Sequence, residues 1–185
     1  MVKVTLKSRF VSCLLVVVFT LVITITGTYG NNAVQAAGLA CFPETTQSGI
    51  AKAVNVLSGS IVSGSASKLF QKDQSYLVMS SAPGLTVNET SFWAEIDLGI
   101  AGTDIMNLEI NTAAKTSVSD CNQEIFLYNY ITSSYEKVAE TTIGTKDTNC
   151  VYFSESGSEI ASYVSSSNKI RLKISITKSE SFTSY

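Results

Sequence analysis

The chain has 185 residues, of which 15% are charged and 45% hydrophobic, and it contains no histidine. Thirteen Lys and Arg oppose 15 Asp and Glu, and three of these bases lie within the first nine residues. Past residue 36 the net charge is about −5, which excludes nucleic acid and anionic membrane as expected partners, because both need a basic footprint.

The N-terminal segment has the order of a secretory signal peptide. Its basic start precedes an uncharged apolar run over residues 10–26, and small residues around Ala36 follow. A signal peptidase requires small residues one and three positions before its cut, so cleavage is predicted after Ala36 or one residue later. The product is expected to be a bacterial exoprotein, secreted or held at the cell surface, with no later membrane span. An uncleaved anchor and a lipid on Cys41 are the alternatives.

Three regions follow from this interpretation. Residues 1–36 are predicted to be the signal peptide, 37–49 a polar leader or linker, and 50–185 a single domain. Within the domain, short apolar runs alternate with Ser, Gly, Asn and Thr. The period of two is clearest at Ser91–Leu98, which places Phe92 on one face and Trp93 on the other, and at Lys169–Thr177.

About eight such strands without long helical patterns predict an all-β fold, an antiparallel β-sandwich. The predicted strands are Ala53–Leu57, Ser75–Ser80, Ser91–Leu98, Ile105–Ile110, Ile125–Tyr130, Tyr135–Thr142, Cys150–Phe153 and Lys169–Thr177. Only Ser158–Val164 has the pattern of a helical turn.

The cysteines past the signal predict one disulfide. Cys121 and Cys150 each open a predicted strand, and export would permit them to pair. Closing a loop of about 30 residues in this way contributes on the order of 3–4 kcal/mol. Cys41 is then the unpaired cysteine, and free thiols are the alternative.

Three stretches of the domain share a recognisable layout. The first has a Ser/Gly-rich lead, then a Leu, then an Asp before a Tyr-initiated strand, and its matching residues are Gly59, Gly64, Leu69, Asp73 and Tyr76. The second, over residues 127–138, has a Tyr-Asn-aromatic turn. The third, over residues 156–174, has a Ser/Gly turn and a basic alternating strand. This layout resembles a β-sandwich module found at the ends of many secreted bacterial proteins. The resemblance implies a jelly-roll-like sandwich and leaves the ligand open.

The chain departs from the resembling modules at its end. Such modules run from a Phe-Thr-like turn into one more strand, whereas this sequence stops at Tyr185. The domain is therefore expected either to lack its last strand or to take it from a partner. An open edge beside Lys169–Thr177 is predicted, and with it self-association through that edge.

Catalytic chemistry is restricted by the missing histidine, which removes Ser-His and Cys-His pairs and most zinc sites. Glu95 and Asp97 share a strand face about 7 Å apart and could hydrolyse a glycosidic bond as an acid and base. Two solvated charges are the alternative, and we expect a protein that is not an enzyme.

A binding function is predicted from the lone tryptophan. Trp93 lies on the face opposite the core together with Glu95 and Asp97, which offers a flat ring for a pyranose and acceptors for its hydroxyls. The tyrosines that could extend this platform are Tyr128, Tyr130 and Tyr135. The alternatives are that both faces of the sheet are buried here, or that a loop covers Trp93.

The sequence thus predicts an exported, non-catalytic binding module for a glycan or cell-surface polymer. The alternative is a structural or assembly protein of the cell surface that pairs through an open sheet edge. No cofactor is predicted. Carboxylates in loops or at strand ends could bind Ca²⁺, but their spacing matches no known Ca²⁺-binding loop. These carboxylates are Asp73, Asp97, Asp104 and Asp120. The basic stripe of Lys169, Arg171 and Lys173 is interpreted as a solvated outer face, with an anionic wall polymer as the alternative.

Overall fold

The computed structural model describes residues 2–8, 45–48, 50–69, 76–99, 105–154 and 157–185. Strands dominate these ranges, and their helices are a 3₁₀ turn, Ala66–Leu69, and α1, Gly157–Ser162. The strands are β1 (Val2–Ser8), β2 (Thr45–Ser48), β3 (Ile50–Ser58), β4 (Ser60–Ser63), β5 (Val78–Ser80), β6 (Ala82–Pro83), β7 (Asn88–Asp97), β8 (Ile105–Ala114), β9 (Cys121–Asn129), β10 (Ser134–Ile143), β11 (Thr148–Ser154), β12 (Lys169–Lys178) and β13 (Thr183–Ser184). No helix in these ranges is both long and apolar enough to span a bilayer.

The strands form three antiparallel sheets. A six-stranded sheet has the order β10-β9-β12-β7-β3, with β6 also paired to β7. A four-stranded sheet has the order β11-β8-β1-β2, and a small sheet has the order β13-β5-β4. The prediction of an all-β, antiparallel sandwich is confirmed.

The alternation of apolar residues explains how the two larger sheets pack. Every second residue of β9 is buried, and Ile125 and Leu127 have exposed fractions of 0%. Leu108 and Ile110 of β8 belong to the same hydrophobic cluster, also at 0%. Because each sheet is apolar on one face, the two faces bury each other and leave the opposite faces to solvent.

The two runs with the clearest period of two are adjacent strands. β7 and β12 pair antiparallel over ten residues each, with Ile170 opposite Ile96 and Leu172 opposite Ala94. These side chains are buried, while Trp93 and Arg171, from the other phase of the alternation, are half-buried on the outer face. The predicted faces of both strands are confirmed.

The predicted open edge beside Lys169–Thr177 is wrong. β12, which contains this run, lies inside the six-stranded sheet and pairs with β7 on one side and β9 on the other. The long edge strands of that sheet are β10 and β3. Chain order suggested an edge position, because β12 is the last long strand, but the sheet inserts it between two earlier ones.

The predicted disulfide between Cys121 and Cys150 is not formed, and both thiols are free and buried. Cys121 begins β9 and pairs with Ile143 in the six-stranded sheet, whereas Cys150 pairs with Thr112 in the four-stranded sheet. The prediction failed because the start of a strand does not reveal which sheet the strand joins. Cys41 lies outside the described residues.

The basic start of the predicted signal peptide forms β1, which lies between β8 and β2. The apolar run, Ala36 and most of the leader lie outside the described residues. Cleavage, export and the division into signal, leader and domain stay predictions.

Candidate functional site

The outer face of the six-stranded sheet brings the predicted binding residues together. Trp93, Glu95 and Asp97 alternate along β7 and are half-buried there, while their neighbours in the strand face the core. Three half-buried tyrosines lie on the same sheet, on or directly after β9 and β10, namely Tyr128, Tyr130 and Tyr135.

The three tyrosines form one aromatic cluster. The Tyr128 ring centroid lies 5.0 Å from that of Tyr130 and 5.2 Å from that of Tyr135, with an interplanar angle of 76° in both pairs. Edge-to-face contacts of this kind direct the positive edge of one ring to the negative face of another. Each ring therefore limits the rotation of its neighbours, and the three rings hold one another in place.

Arg171 joins this cluster to the tryptophan. Its Cζ lies 4.4 Å from the Trp93 ring centroid and 5.1 Å from the Tyr128 centroid. This position follows from the strand order, because β12 lies between β7, which carries Trp93, and β9, which carries Tyr128. A guanidinium between two aromatic rings is attracted to both, at about 0.5–1 kcal/mol for an exposed contact.

A second basic residue of β12 repeats the arrangement. Lys173 Nζ lies 4.7 Å from the ring centroid of Phe126 and 5.9 Å from that of Tyr135. The sequence pattern predicted a solvated stripe for these bases and did not assign Phe126 to the site. The signal that could have identified them is the shared alternation, since basic and aromatic residues occupy the same face of adjoining strands.

Glu95 is held as a carboxylate by two bases. Lys169 Nζ donates to its Oε1 at 2.6 Å, and Arg171 Nη2 lies 3.7 Å from its Oε2. The hydrogen bond from Lys169 is the main cause that lowers the pKa of Glu95, and the same bond raises the pKa of Lys169. A general acid for glycosidic cleavage needs a raised pKa, so Glu95 suits the role of a hydrogen-bond acceptor instead.

Asp97 lies at the margin of the face, where β7 ends. Its Oδ1 accepts a hydrogen bond from the Gly99 N–H at 3.2 Å, which closes the turn that follows the strand. Asp97 is opposite Lys169 in the pairing of β7 with β12. It contributes negative charge beside Glu95 and holds the local turn.

Two tyrosines of the cluster keep neutral hydroxyls over a wide pH range. Burial raises the pKa of Tyr130 and of Tyr135, while the nearby charge of Arg171 acts in the opposite direction. The Nε of Arg171 is buried without a hydrogen-bond partner. The face therefore combines neutral hydroxyls, a carboxylate acceptor and a guanidinium with a donor that no described side chain or backbone group uses.

No group of three acidic or cysteine side chains that could hold a metal ion occurs among the described residues. Of the carboxylates considered for Ca²⁺, Asp73 and Asp104 lie outside those residues, and Asp97 and Asp120 lie within them. The absence of a cofactor stays a prediction, with Ca²⁺ as the alternative that no motif supports.

The pair of Lys169 and Glu95 gives a titration that can be measured. In the wild type we expect the Glu95 carboxyl to titrate below its ordinary pKa of 4.5, and Lys169→Met should raise that pKa by removing its main cause. Because the folded pKa is depressed, the pair stabilises the fold above pH about 4.5 and this contribution disappears as pH falls through the folded pKa. Carbon-detected NMR titration of the glutamates measures the shift.

The matched control for this titration is Lys137→Met, because Lys137 bridges Glu124 and Glu140 at 3.0 and 2.7 Å on the same sheet. It should leave the Glu95 titration unchanged. A Glu95 carboxyl that titrates identically with and without Lys169 would contradict the assigned ion pair.

Comparisons with known proteins give a likeness in structure and none in sequence. No protein-family model matches the chain, and no curated protein matches its sequence. A solved structure described as "CBM4 structure and function" aligns with a TM-score of 0.34 and 9% identity, covering 56% of this chain and 81% of that one. At this TM-score and identity the likeness supports no inference about ligand, and the function proposed below is inferred from the side chains.

Proposed function

We propose that this protein is an exported, non-catalytic module that binds a glycan or another cell-surface polymer on the outer face of its six-stranded sheet. The observation that supports this function is the row of Trp93, Arg171 and Tyr128, with the guanidinium 4.4 and 5.1 Å from the two ring centroids. Tyr130 and Tyr135 continue the row at one side.

The chemistry of a sugar matches the composition of this face. A pyranose has apolar C–H faces that pack on aromatic rings and hydroxyls that need both donors and acceptors. The rings supply the apolar contact, Glu95 accepts hydrogen bonds, and Arg171 donates them. A broad sheet face fits an extended polymer, which contacts several sugar units at once.

The bases of β12 favour an acidic polymer. Lys169, Arg171 and Lys173 follow one another on the outer face, and the Arg171 fork can donate two parallel hydrogen bonds to a carboxylate, phosphate or sulfate. The domain as a whole is acidic, with a net charge of about −5 past residue 36, so this local stripe is the part that would attract an anionic ligand. We therefore expect stronger binding to acidic than to neutral polysaccharides, with a salt-dependent difference.

Trp93→Ala tests this function. A glycan array of neutral and acidic polysaccharides is first probed with the wild type. The variant should then bind the selected ligand about 30-fold more weakly or worse, because a central Trp in a binding face contributes about 2 kcal/mol or more. The matched control is Phe153→Ala, which removes an aromatic side chain of 49% exposure from β11 in the other sheet.

Equal weakening by both variants would mean that binding does not use this face. An array on which the wild type binds no glycan or wall polymer would refute the proposed function altogether. Circular dichroism and melting of both variants show that each one is folded before binding is compared.

A further inference from the structure

Two separate segments of the chain pair along one edge of β8. β1 runs antiparallel along it, beginning with Val2 opposite Thr112. At the far end of the same strand, Tyr185 exchanges both backbone hydrogen bonds with Lys115, at N···O distances of 3.2 and 2.8 Å, and this bridge is also antiparallel. The two segments therefore run in the same direction, one after the other.

Backbone alternation places both segments on the same edge. Successive residues of a strand direct their N–H and C=O groups to opposite edges. Thr116 donates at 2.8 Å to Gly144, which lies in the loop that leads from β10 into β11, the neighbour of β8 on one side. Lys115 and Tyr185 therefore bond on the other side, which is the side that β1 occupies. We call this side, over Ile105–Lys115, the acceptor edge.

The register leaves a short gap between the two segments. Tyr185 is opposite Lys115 and Val2 is opposite Thr112, so two positions, opposite Ala114 and Ala113, separate them. Ala113, Ala114 and Tyr185 also line a cleft whose other walls are residues of the six-stranded sheet, of β5 and of the 3₁₀ turn. One strand that continued from Tyr185 through two further residues would be in register with β1.

β1 has the pattern that this edge requires. Antiparallel partners that are directly opposite lie on the same face of a sheet. The apolar residues of β1 are opposite residues of β8 whose exposed fractions are 2%, 0% and 0%, namely Val2 opposite Thr112, Val4 opposite Ile110 and Leu6 opposite Leu108. The charged and polar residues of β1 alternate with them, so the acceptor edge takes an amphipathic strand.

We propose that the acceptor edge binds an extended strand of another polypeptide once β1 has been removed with the signal peptide. Cleavage after Ala36 would take away the strand that covers Ile105–Thr112 and would expose its unpaired backbone groups. The partner strand lies antiparallel to β8 and has apolar residues opposite Leu108, Ile110 and Thr112. This proposal rests on the predicted cleavage and is independent of the glycan function.

β1 shows which kind of segment this edge binds, because β1 is a strand with alternating apolar and polar residues and pairs with β8 along it. Exposed strand edges pair readily with other chains, through backbone hydrogen bonds for affinity and alternate side chains for specificity. β2 pairs with β1 and not with β8. Removal of β1 therefore leaves β2 and β8 each without the strand that lies between them.

A peptide of residues 2–8 tests the proposal directly. The exported protein is purified, its N-terminus is sequenced, and the labelled peptide Val-Lys-Val-Thr-Leu-Lys-Ser is titrated into it while anisotropy is recorded. We expect one peptide to bind per protein and Tm to rise by about 5–10 °C at 100 times Kd. The control peptide carries Val4→Asp and Leu6→Asp and should not bind, because charge would face the core.

A covalent version fixes the register. The seven residues of β1 are appended after Tyr185 of the exported protein through two glycines, which occupy the positions opposite Ala114 and Ala113. This extension should raise Tm and abolish peptide binding. An extension of the same composition in the order Lys-Val-Thr-Val-Lys-Leu-Ser places the apolar residues on the solvent face, since a shift of one residue exchanges the faces, and should do neither.

Each outcome decides the proposal. If the exported protein is unfolded alone, folding on addition of the peptide supports it, and failure to fold refutes it. A stable protein that binds neither peptide, because its own leader or a second copy closes the edge, also refutes it. The proposal is also refuted if the two peptides bind equally well. It is refuted as well if the exported protein retains residues 1–36.

Discussion

Leu127→Ala is expected to lower the free energy of unfolding by about 2–5 kcal/mol. Leu127 has an exposed fraction of 0% and is opposite Leu172 of β12, at the centre of the six-stranded sheet. Its side chain belongs to the cluster that both large sheets share. The substitution removes three heavy atoms and the apolar contacts that they make. It leaves a cavity that the surrounding strands can close only in part.

Urea unfolding measures this loss, and Val151→Ala is the matched control. Val151 lies on β11 with an exposed fraction of 55%, so its truncation should change stability by less than about 0.5 kcal/mol. A Leu127 variant as stable as the control would mean that the two sheets do not bury this residue between them, and the sandwich arrangement would then be incorrect.

The strands and their faces are predictable from the sequence because their cause is local. One face of each strand is buried, and a period of two records which residues belong to it. This period alone assigns Phe92 and Trp93 to opposite faces, and it does the same for Ile170 and Arg171. The same alternation predicts that Trp93, Glu95 and Asp97 are neighbours on the outer side.

The order of strands within the sheets is not predictable in this way. Nothing in Lys169–Thr177 itself indicates that β12 enters between β7 and β9, yet this order places Arg171 between Trp93 and Tyr128. The prediction of an open edge beside β12 failed for the same reason, as did the pairing of Cys121 with Cys150. Each of these depends on contacts between residues that are far apart in the chain.

The signal peptide prediction stands apart from the fold, because the pattern that supports it is a recognition signal for a peptidase. A basic start, an apolar run and small residues predict cleavage and export of the segment and do not depend on how it folds. The same basic start also alternates apolar and polar residues, and the structure pairs it with β8. One short sequence can thus satisfy a targeting pattern and a strand pattern, and N-terminal sequencing of the mature protein isolated from cells and from the culture medium tests which of them applies.

Arg171 is expected to control both the order of the aromatic face and its affinity. Arg171→Met preserves much of the length of the side chain but removes the guanidinium that lies beside Trp93, Tyr128 and Glu95. The chain contains one tryptophan, so its fluorescence reports on this face alone. We expect a shifted emission maximum and stronger quenching by acrylamide, because the Trp93 ring loses the group that covers part of it.

The same variant should bind the glycan identified for the wild type about 10- to 100-fold more weakly, since a hydrogen bond from a charged donor contributes about 1.5–3 kcal/mol. Arg171→Lys restores the positive charge without the planar fork and should recover only part of the affinity, because an ammonium donates from a point and does not stack on two rings.

Lys137→Met, which removes a base bonded to Glu124 and Glu140 on the same sheet, controls for the loss of one positive charge. If this control weakens binding as much as Arg171→Met does, the ligand responds to net charge. Unchanged Trp93 fluorescence in Arg171→Met would contradict the stacked arrangement itself.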